Sequence, residues 1–355
     1  MNYSSRSKIF VSLQSLDQLQ HHFTEQTYSK VFVLVDENTF THCYPFIKPY
    51  IPAHYLIEIP SGEQHKTLDT CQLIWDQFTN NNADRNSVLI NLGGGIICDM
   101  GGFTAACYKR GIEFIHVPTT LLAMVDASVG GKTGIDFKNF KNQIGVFQEP
   151  CAVFVFTSFL KTLPHRELLS GFAEVIKHYL IADKQAFTAL NLVLQKNNFF
   201  DLDFINIVER NIEIKSAIVL QDPFENNSRK ALNFGHTIGH AVESHFLINK
   251  SSKLLHGEAI AIGIICENFI SYMLNFINVD ELNLITTLIQ NRYNLPVISE
   301  HDFKLILNLI QQDKKSVSGK NQFTLLSGIG NYSIQNYVQD KLIIQSIKYY
   351  NMSHV

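Results

Sequence analysis

The stretch Asn233 to Glu243 reads NFGHTIGHAVE and sets His236 and His240 one helical turn apart in an apolar, helix-compatible run. Imidazoles at that spacing share a helix face, and a neutral imidazole is both a metal ligand and a proton carrier near neutral pH. Further donors stand nearby in type if not in sequence. His256 opens another helical run in LLHGEA, and GFAEVIKH places Glu174, Lys177 and His178 at i, i+3 and i+4, again one face of a helix. A carboxylate with two histidines is the ligand set of a catalytic Zn²⁺ site that keeps a position open for substrate. Spacing alone permits His236 with His240, or His236 with His256, as the pair. For Glu174 and Lys177 the competing reading is a surface salt bridge of small worth. Their neighbours Phe172, Ala173, Val175 and Ile176 are apolar, which points some of these charges into a cleft instead.

A second group of chemistry-bearing residues lies earlier. NLGGGIICDMGGF follows a strand-like run and opens a helix-like one. Gly93, Gly94 and Gly95 allow a tight turn whose amides face a diphosphate at a helix N-terminus. The dinucleotide fingerprint G-x-G-x-x-G is not met, because its third position is Cys98, and a purely structural glycine turn reads equally well. Asp99 beside a phosphate cradle is electrostatically awkward and suits a ribose or nicotinamide polar group. VPTTLLAMVDASVGGKTGIDFKNFKNQIG then brings Thr119, Thr120, Asp126, Lys132, Lys141 and Asn142 into one glycine-punctuated segment. One such lysine would be a solvated surface charge; the constellation suits phosphate or carboxylate groups.

These residues need elements to hold them. Up to about residue 158, Val/Ile/Leu-rich runs such as KVFVLVDENT, HYLIEIP, SVLINLGGG, FIHVPTT and CAVFVFTS alternate with polar or helical stretches. That is the texture of a largely parallel sheet buried on both faces, with ligands at the carboxyl ends of its strands. From residue 159 to 355 helical periodicity dominates. The expected architecture is a Rossmann-like α/β lobe over 1–158 and a mainly α-helical lobe over 159–355, with the active site in the cleft between them. A length of 355 residues accords with two lobes. With 46% hydrophobic and 17% charged residues the chain should be compact rather than disordered. A net charge of −3 without basic stripes excludes a nucleic-acid footprint. The most apolar long segment, GEAIAIGIICENFISYML, carries Glu258 and Glu267 and reads as a buried helix, not a membrane span. No signal peptide is expected from MNYSSRSKIFVSLQ, and six scattered cysteines without a C-x-x-C pair suit reduced thiols in the cytoplasm.

Taken in order, GGGIICDMGGF, PTTLLAMVDASVGGKTGI, KNQIG, GFAEVIKH, LNFGHTIGHAVE and HGEAIAIG resemble the 3-dehydroquinate synthases of the sugar-phosphate cyclase superfamily, over most of the chain. The resemblance implies NAD in the first lobe, a divalent metal in the second, with Zn²⁺ favoured and Co²⁺ the other candidate, and a homodimer. NAD contacts fall on Asp36, Asn38, Glu63, Lys66, Gly94, Gly95, Asp99, Thr119 and Thr120, with Lys132 and Lys141 close by. The implied metal ligands are Glu174, His236 and His256, which leaves His240 for proton transfer. Catalytic and substrate positions fall on Arg110, Asp126, Lys132, Lys141, Asn142, Lys177, Lys215, Arg229, Asn233 and one of Lys314 and Lys315. The loop DPFENNSRKALNFGH departs from the family pattern and leaves the role of Glu225 open.

The implied substrate, a phosphorylated sugar acid, 3-deoxy-D-arabino-heptulosonate 7-phosphate, carries two anionic groups. A chain of net charge −3 therefore needs a local cationic pocket. The implied reaction runs through alcohol oxidation, phosphate β-elimination, ketone reduction, ring opening and intramolecular aldol closure to 3-dehydroquinate, in the shikimate pathway to aromatic amino acids. NAD is recycled, and the enzyme is a lyase. Competing readings are another sugar-phosphate cyclase, an NAD- and metal-dependent alcohol or glycerol dehydrogenase, and a catalytically dead binding module.

Overall fold

The computed structural model describes residues 7–11, 15–138, 140–196, 199–248, 253–312 and 322–353. The chain packs as two compact units, Met1–Leu168 with Phe204–Ser216, and Leu169–Asp203 with Ala217–Val355. The division thus falls beyond residue 158, and a stretch of the helix Phe204–Gln221 is counted with the first unit. Lys215 shows one reason: its ammonium is bonded to Asp126 of that unit.

The first unit is built on β1 (Lys8–Val11), β2 (Val31–Asp36), β3 (Tyr55–Ile59), β4 (Val88–Gly93), β5 (Glu113–Pro118), β6 (Lys132–Phe137), β7 (Phe140–Phe147) and β8 (Ala152–Val155). Six of them form one sheet in the order β1-β8-β5-β4-β2-β3, every pairing parallel. The sequence shows why. β2, β4 and β8 are buried along nearly their whole length, so their side chains are apolar on both faces, as a helix-covered parallel sheet requires. Phe32, Leu34, Ile74, Phe78, Leu89, Met100, Phe103 and Phe114 share one core between the sheet and the helices Leu68–Asn80 and Gly95–Cys107. β1 lies in a stretch that sequence reading left unassigned. β6 and β7 pair antiparallel as a separate hairpin, and two glycines of this glycine-punctuated segment are strand residues: Gly134 faces Gly145, and a Cβ on Gly134 would meet the Ile144 carbonyl at 2.6 Å.

The order β3-β2-β4-β5 has a consequence for binding. From β2 the chain goes to β3 on one side and to β4 on the other, so the carboxyl ends of β2 and β4 flank a topological switch point, where open parallel sheets bind ligands. Asp36 ends β2 and Gly93 ends β4.

The second unit is helical, with a small antiparallel pair of β9 (Gln322–Leu326) and β10 (Tyr332–Tyr337). Its central helix, His256–Met273, is buried almost throughout, and no described helix is long and apolar enough to cross a membrane. It packs on the helix His236–Ile248 at backbone distance. Added Cβ atoms show how close: one on Gly239 would lie 3.1 Å from the Ala259 carbonyl oxygen, and one on Gly263 would collide with the Gly235 carbonyl oxygen and stand 2.8 Å from Gly239 N. Gly235 also holds a φ of +79°, which a side chain resists. Backbone cannot step aside as a flexible side chain can. Gly263→Ala should therefore destabilise the fold by about 1–3 kcal/mol, read as a lower denaturant midpoint; an unchanged midpoint would show that the helices can separate at no cost.

Candidate active site

The first unit gathers the expected cofactor positions at the carboxyl ends of four neighbouring strands. Asp36 ends β2 and Asn38 follows it, Glu63 and Lys66 follow β3, Gly94, Gly95 and Asp99 follow β4, and Thr119 and Thr120 follow β5. Asp36 caps the helix Glu37–His42, with Oδ1 accepting from Thr39 N at 2.8 Å while Thr39 Oγ1 accepts from Asp36 N at 2.9 Å. Asn38 is exposed on that helix. Gly94 is the N-cap of the helix Gly95–Cys107, and no side chain caps its first amides. A Cβ at Gly94 would press on Thr120 Cγ2 at 3.1 Å. Glycine thus keeps open a backbone cradle whose amides are directed at an anion, and the residues present fit a dinucleotide diphosphate.

Lys66 and Asp99 are joined at 2.6 Å, and the same ammonium donates to Asn142 Oδ1 at 2.6 Å. Burial works against the Lys66 charge, but Asp99 and then Glu63 outweigh it and hold the ammonium above its ordinary pKa. Asn142 takes a left-handed φ of +52° and donates its amide to Asp136, while Lys141 reaches Glu63 at 3.7 Å. Asp126 sits in a wide π-type turn, Ala123–Ala127, where its carboxylate and its carbonyl both accept from Lys215. Lys132 and Arg110 are exposed, and no hydrogen bond or ion pair among the described residues links Arg110 to the other candidates. Lys314 and Lys315 lie outside the described residues.

In the second unit Glu174 is the centre. Its side chain is fully buried and salt-bridged to Lys177, itself 1% exposed, so the surface reading of this pair does not hold. Glu174 Oε1 is faced by two imidazole nitrogens, His236 Nε2 at 3.5 Å and His256 Nε2 at 3.6 Å. His240, one turn along, has its ring 5.1 Å from that of His236 and 5.8 Å from that of His256, and one ring nitrogen from each of the three histidines lies within 4.8 Å of the others.

The hydrogen bonds behind the imidazoles decide what this cluster suits. His236 Nδ1 stands 3.1 Å from the Phe234 carbonyl, which can only accept, so Nδ1 carries the proton and Nε2 turns a lone pair toward Glu174. Burial, then the Lys177 charge, holds His236 neutral, well below its ordinary pKa. His256 Nδ1 is 3.4 Å from Glu243 Oε2, and its Nε2 likewise faces Glu174. Burial pulls the His256 pKa down, but Glu243 and Glu174 outweigh it and lift it to about 10. Glu243 and Glu174 thus favour positive charge on the His256 side of the cluster. Two ligand atoms on a tetrahedral Zn²⁺ with bonds of about 2.0–2.1 Å stand about 3.3 Å apart, close to the separations seen. Glu174, His236 and His256 fit a divalent ion.

Two buried acids that sequence reading did not assign to the site hold it in shape. Glu267, fully buried, accepts from Gly235 N at 2.6 Å and Ile238 N at 3.1 Å, satisfying amides at the start of the histidine helix. Glu243 backs His256. Their sequence signal was an acid inside an apolar helical run. Nearby, Asp222 accepts from the amides of Asn226, Asn227 and Arg229 and shapes the unusual loop, where Glu225 Oε1 takes Asn233 Nδ2 at 2.6 Å and Arg229 is bonded to the Pro223 carbonyl.

A parallel α/β unit with a glycine-lined helix N-terminus at its switch point, joined in one chain to a helical unit with a buried carboxylate–histidine centre, defines a class of two-unit proteins fitted for a dinucleotide and a divalent ion. The family model described as 3-dehydroquinate synthase N-terminal matches residues 56–170, and the one described as 3-dehydroquinate synthase C-terminal matches residues 171–316. A 3-dehydroquinate synthase of Parabacteroides distasonis is 38% identical over 98% of this chain and 99% of its own length. The chain belongs to the 3-dehydroquinate synthase family. Among solved structures, 2-epi-5-epi-valiolone synthase from Streptomyces hygroscopicus subsp. jinggangensis 5008, with NAD⁺ and Zn²⁺ bound, superposes with a TM-score of 0.86 at 22% identity, covering 99% of this chain and 98% of the other. A 2-deoxy-scyllo-inosose synthase complexed with carbaglucose-6-phosphate, NAD⁺ and Co²⁺ gives 0.82 at 24%, covering 97% and 96%. At such identities the likeness speaks to the fold.

The Lys66–Asp99 pair allows a test of the first unit. Lys66→Met should strand a half-buried carboxylate and lower stability by about 3 kcal/mol, whereas Lys66→Met with Asp99→Leu should recover much of the loss; equal loss in both, by chemical denaturation without nucleotide, would mean the pair contributes nothing.

Proposed function

We propose that the chain converts 3-deoxy-D-arabino-heptulosonate 7-phosphate to 3-dehydroquinate and phosphate, with NAD used catalytically and Zn²⁺ as the divalent ion. The observation that carries this reading is the convergence of His236 and His256 on the buried Glu174 carboxylate, within a chain that aligns with a family member end to end. When bound, NAD supplies reversible oxidation of an alcohol carbon and the metal supplies Lewis acidity. Glu174, His236 and His256 would hold the metal; Gly94, Gly95, Asp99, Thr119, Thr120, Asp36, Asn38, Glu63 and Lys66 would hold NAD.

The chain's own cations do the rest of the positioning. Lys177, Lys215 and Arg229 are buried and each is pinned by an acid or a carbonyl. Such pre-set charges bind a carboxylate or a phosphate without ordering long side chains at the moment of reaction. Lys132, Lys141 and Arg110, exposed at the rim of the first unit, would supply further positive charge, and Asn142 and Asn233 would donate to substrate hydroxyls. Asp126 acts by orienting Lys215. His240, beside the two ligand histidines yet one turn on, would carry the proton transfer. We further propose that the chain acts as a homodimer in the cytoplasm, as its sequence resemblance implies.

Supplying the heptulosonate phosphate with substoichiometric NAD and Zn²⁺ should release phosphate and form 3-dehydroquinate with no net NADH. Sustained NADH from glycerol or a simple alcohol would instead identify a dehydrogenase. His256→Ala should lose its bound metal while NAD affinity stays within about twofold of the parent, because Glu174 and His236 alone make a poor site; full metal occupancy in that variant would overturn the ligand assignment.

A further inference from the structure

The two imidazoles proposed as ligands are backed differently. His236 gives its Nδ1 proton to a neutral acceptor, the Phe234 carbonyl two residues before it. His256 gives its own to a carboxylate, Glu243 Oε2, 3.4 Å away on the neighbouring helix. Glu243 is 7% exposed and stands on the helix His236–Ile248 two turns beyond His236. The glycine contacts between this helix and His256–Met273 bring the two elements close. His256 is also the first residue of its helix, where unsatisfied amides make a positive end. A carboxylate there offsets that field and fixes the ring's tautomer.

We propose that Glu243 is a positioning residue for the metal: by accepting the Nδ1 proton of His256 it keeps the Nε2 lone pair aimed at the ion and makes that imidazole the stronger donor of the two. The inference rests on the reading of Glu174, His236 and His256 as the ligand set. A carboxylate behind a histidine ligand increases its basicity and holds its plane, and removing one lowers metal affinity by about 10- to 100-fold. Glu243→Gln retains an oxygen acceptor but loses the charge, so its loss should be smaller than that of Glu243→Ala.

The test measures Zn²⁺ dissociation constants by chelator competition on the full chain, the visible absorption of the Co²⁺ form, and the melting temperature without metal, for the parent, Glu243→Gln, Glu243→Ala and His256→Ala. We expect the Zn²⁺ constant to rise about 10- to 100-fold in Glu243→Ala and less in Glu243→Gln, a shifted Co²⁺ band in both, and no specific binding in His256→Ala. If Glu243→Ala fails to fold, Glu243→Gln carries the test. Parent affinity and an unchanged Co²⁺ band in the folded glutamate variants, with only the metal-free melting temperature lowered, would assign Glu243 a structural role and overturn the proposal. A parent that takes up no Zn²⁺ would overturn the metal reading itself, and this inference with it.

Discussion

Glu174 is a carboxylate removed from water, and burying an unpaired charge costs far more than any single packing contact returns. The second unit answers that cost from three directions. Lys177 comes from one turn along the same helix. His236 and His256 come from two other helices, and each reaches Glu174 only if its helix begins at the right place. Gly235, in a left-handed conformation, ends the preceding segment so that His236 is the first helical residue, and Glu267 takes up amides at that start. Gly263 then lets the His256 helix lie against it. The glycines, the second buried acid and the helix starts are one arrangement around Glu174.

The first unit solves a different problem, that of presenting backbone amides to an anion without closing over them. The parallel sheet places its switch point between β2 and β4, and the glycine after β4 begins a helix with no side chain in the way. Around that opening the charges are tied down in pairs: Lys66 with Asp99, Lys141 with Glu63, Lys215 with Asp126. Pairing keeps cations fixed yet partly neutralised, so an incoming phosphate competes for side chains that are already in place.

Much of this was legible in the sequence. Continuous apolar runs marked five of the sheet's strands, of which β2, β4, β5 and β8 are buried nearly throughout while β3, at the sheet's edge, exposes Tyr55, Leu56 and Glu58, and helical periodicity marked the second unit. β1 was not legible because a short edge strand in a polar stretch has no period to read. The β6–β7 hairpin was hidden by glycines that serve close backbone approach rather than turns. The burial of Lys215 and Glu243 has no local signal, since the groups they bond lie 89 and 13 residues away in the chain. Propensity and pattern describe local preference, and partners at that range belong to tertiary structure.

The difference between His236 and His240 is the sharpest case. Both have the same side chain, on the same helix, one turn apart, and spacing treats them alike. The structure separates them through the backbone before the helix: the Phe234 carbonyl belongs to a residue outside the helical hydrogen-bond ladder, so it can accept from His236 Nδ1 and thereby turn Nε2 toward Glu174. His240, one turn further into the helix, sets its ring 5.1 Å from that of His236 and 5.8 Å from that of His256. Position relative to the helix start, rather than residue type, thus gives His236 a backbone acceptor for its Nδ1 proton and a place in front of Glu174.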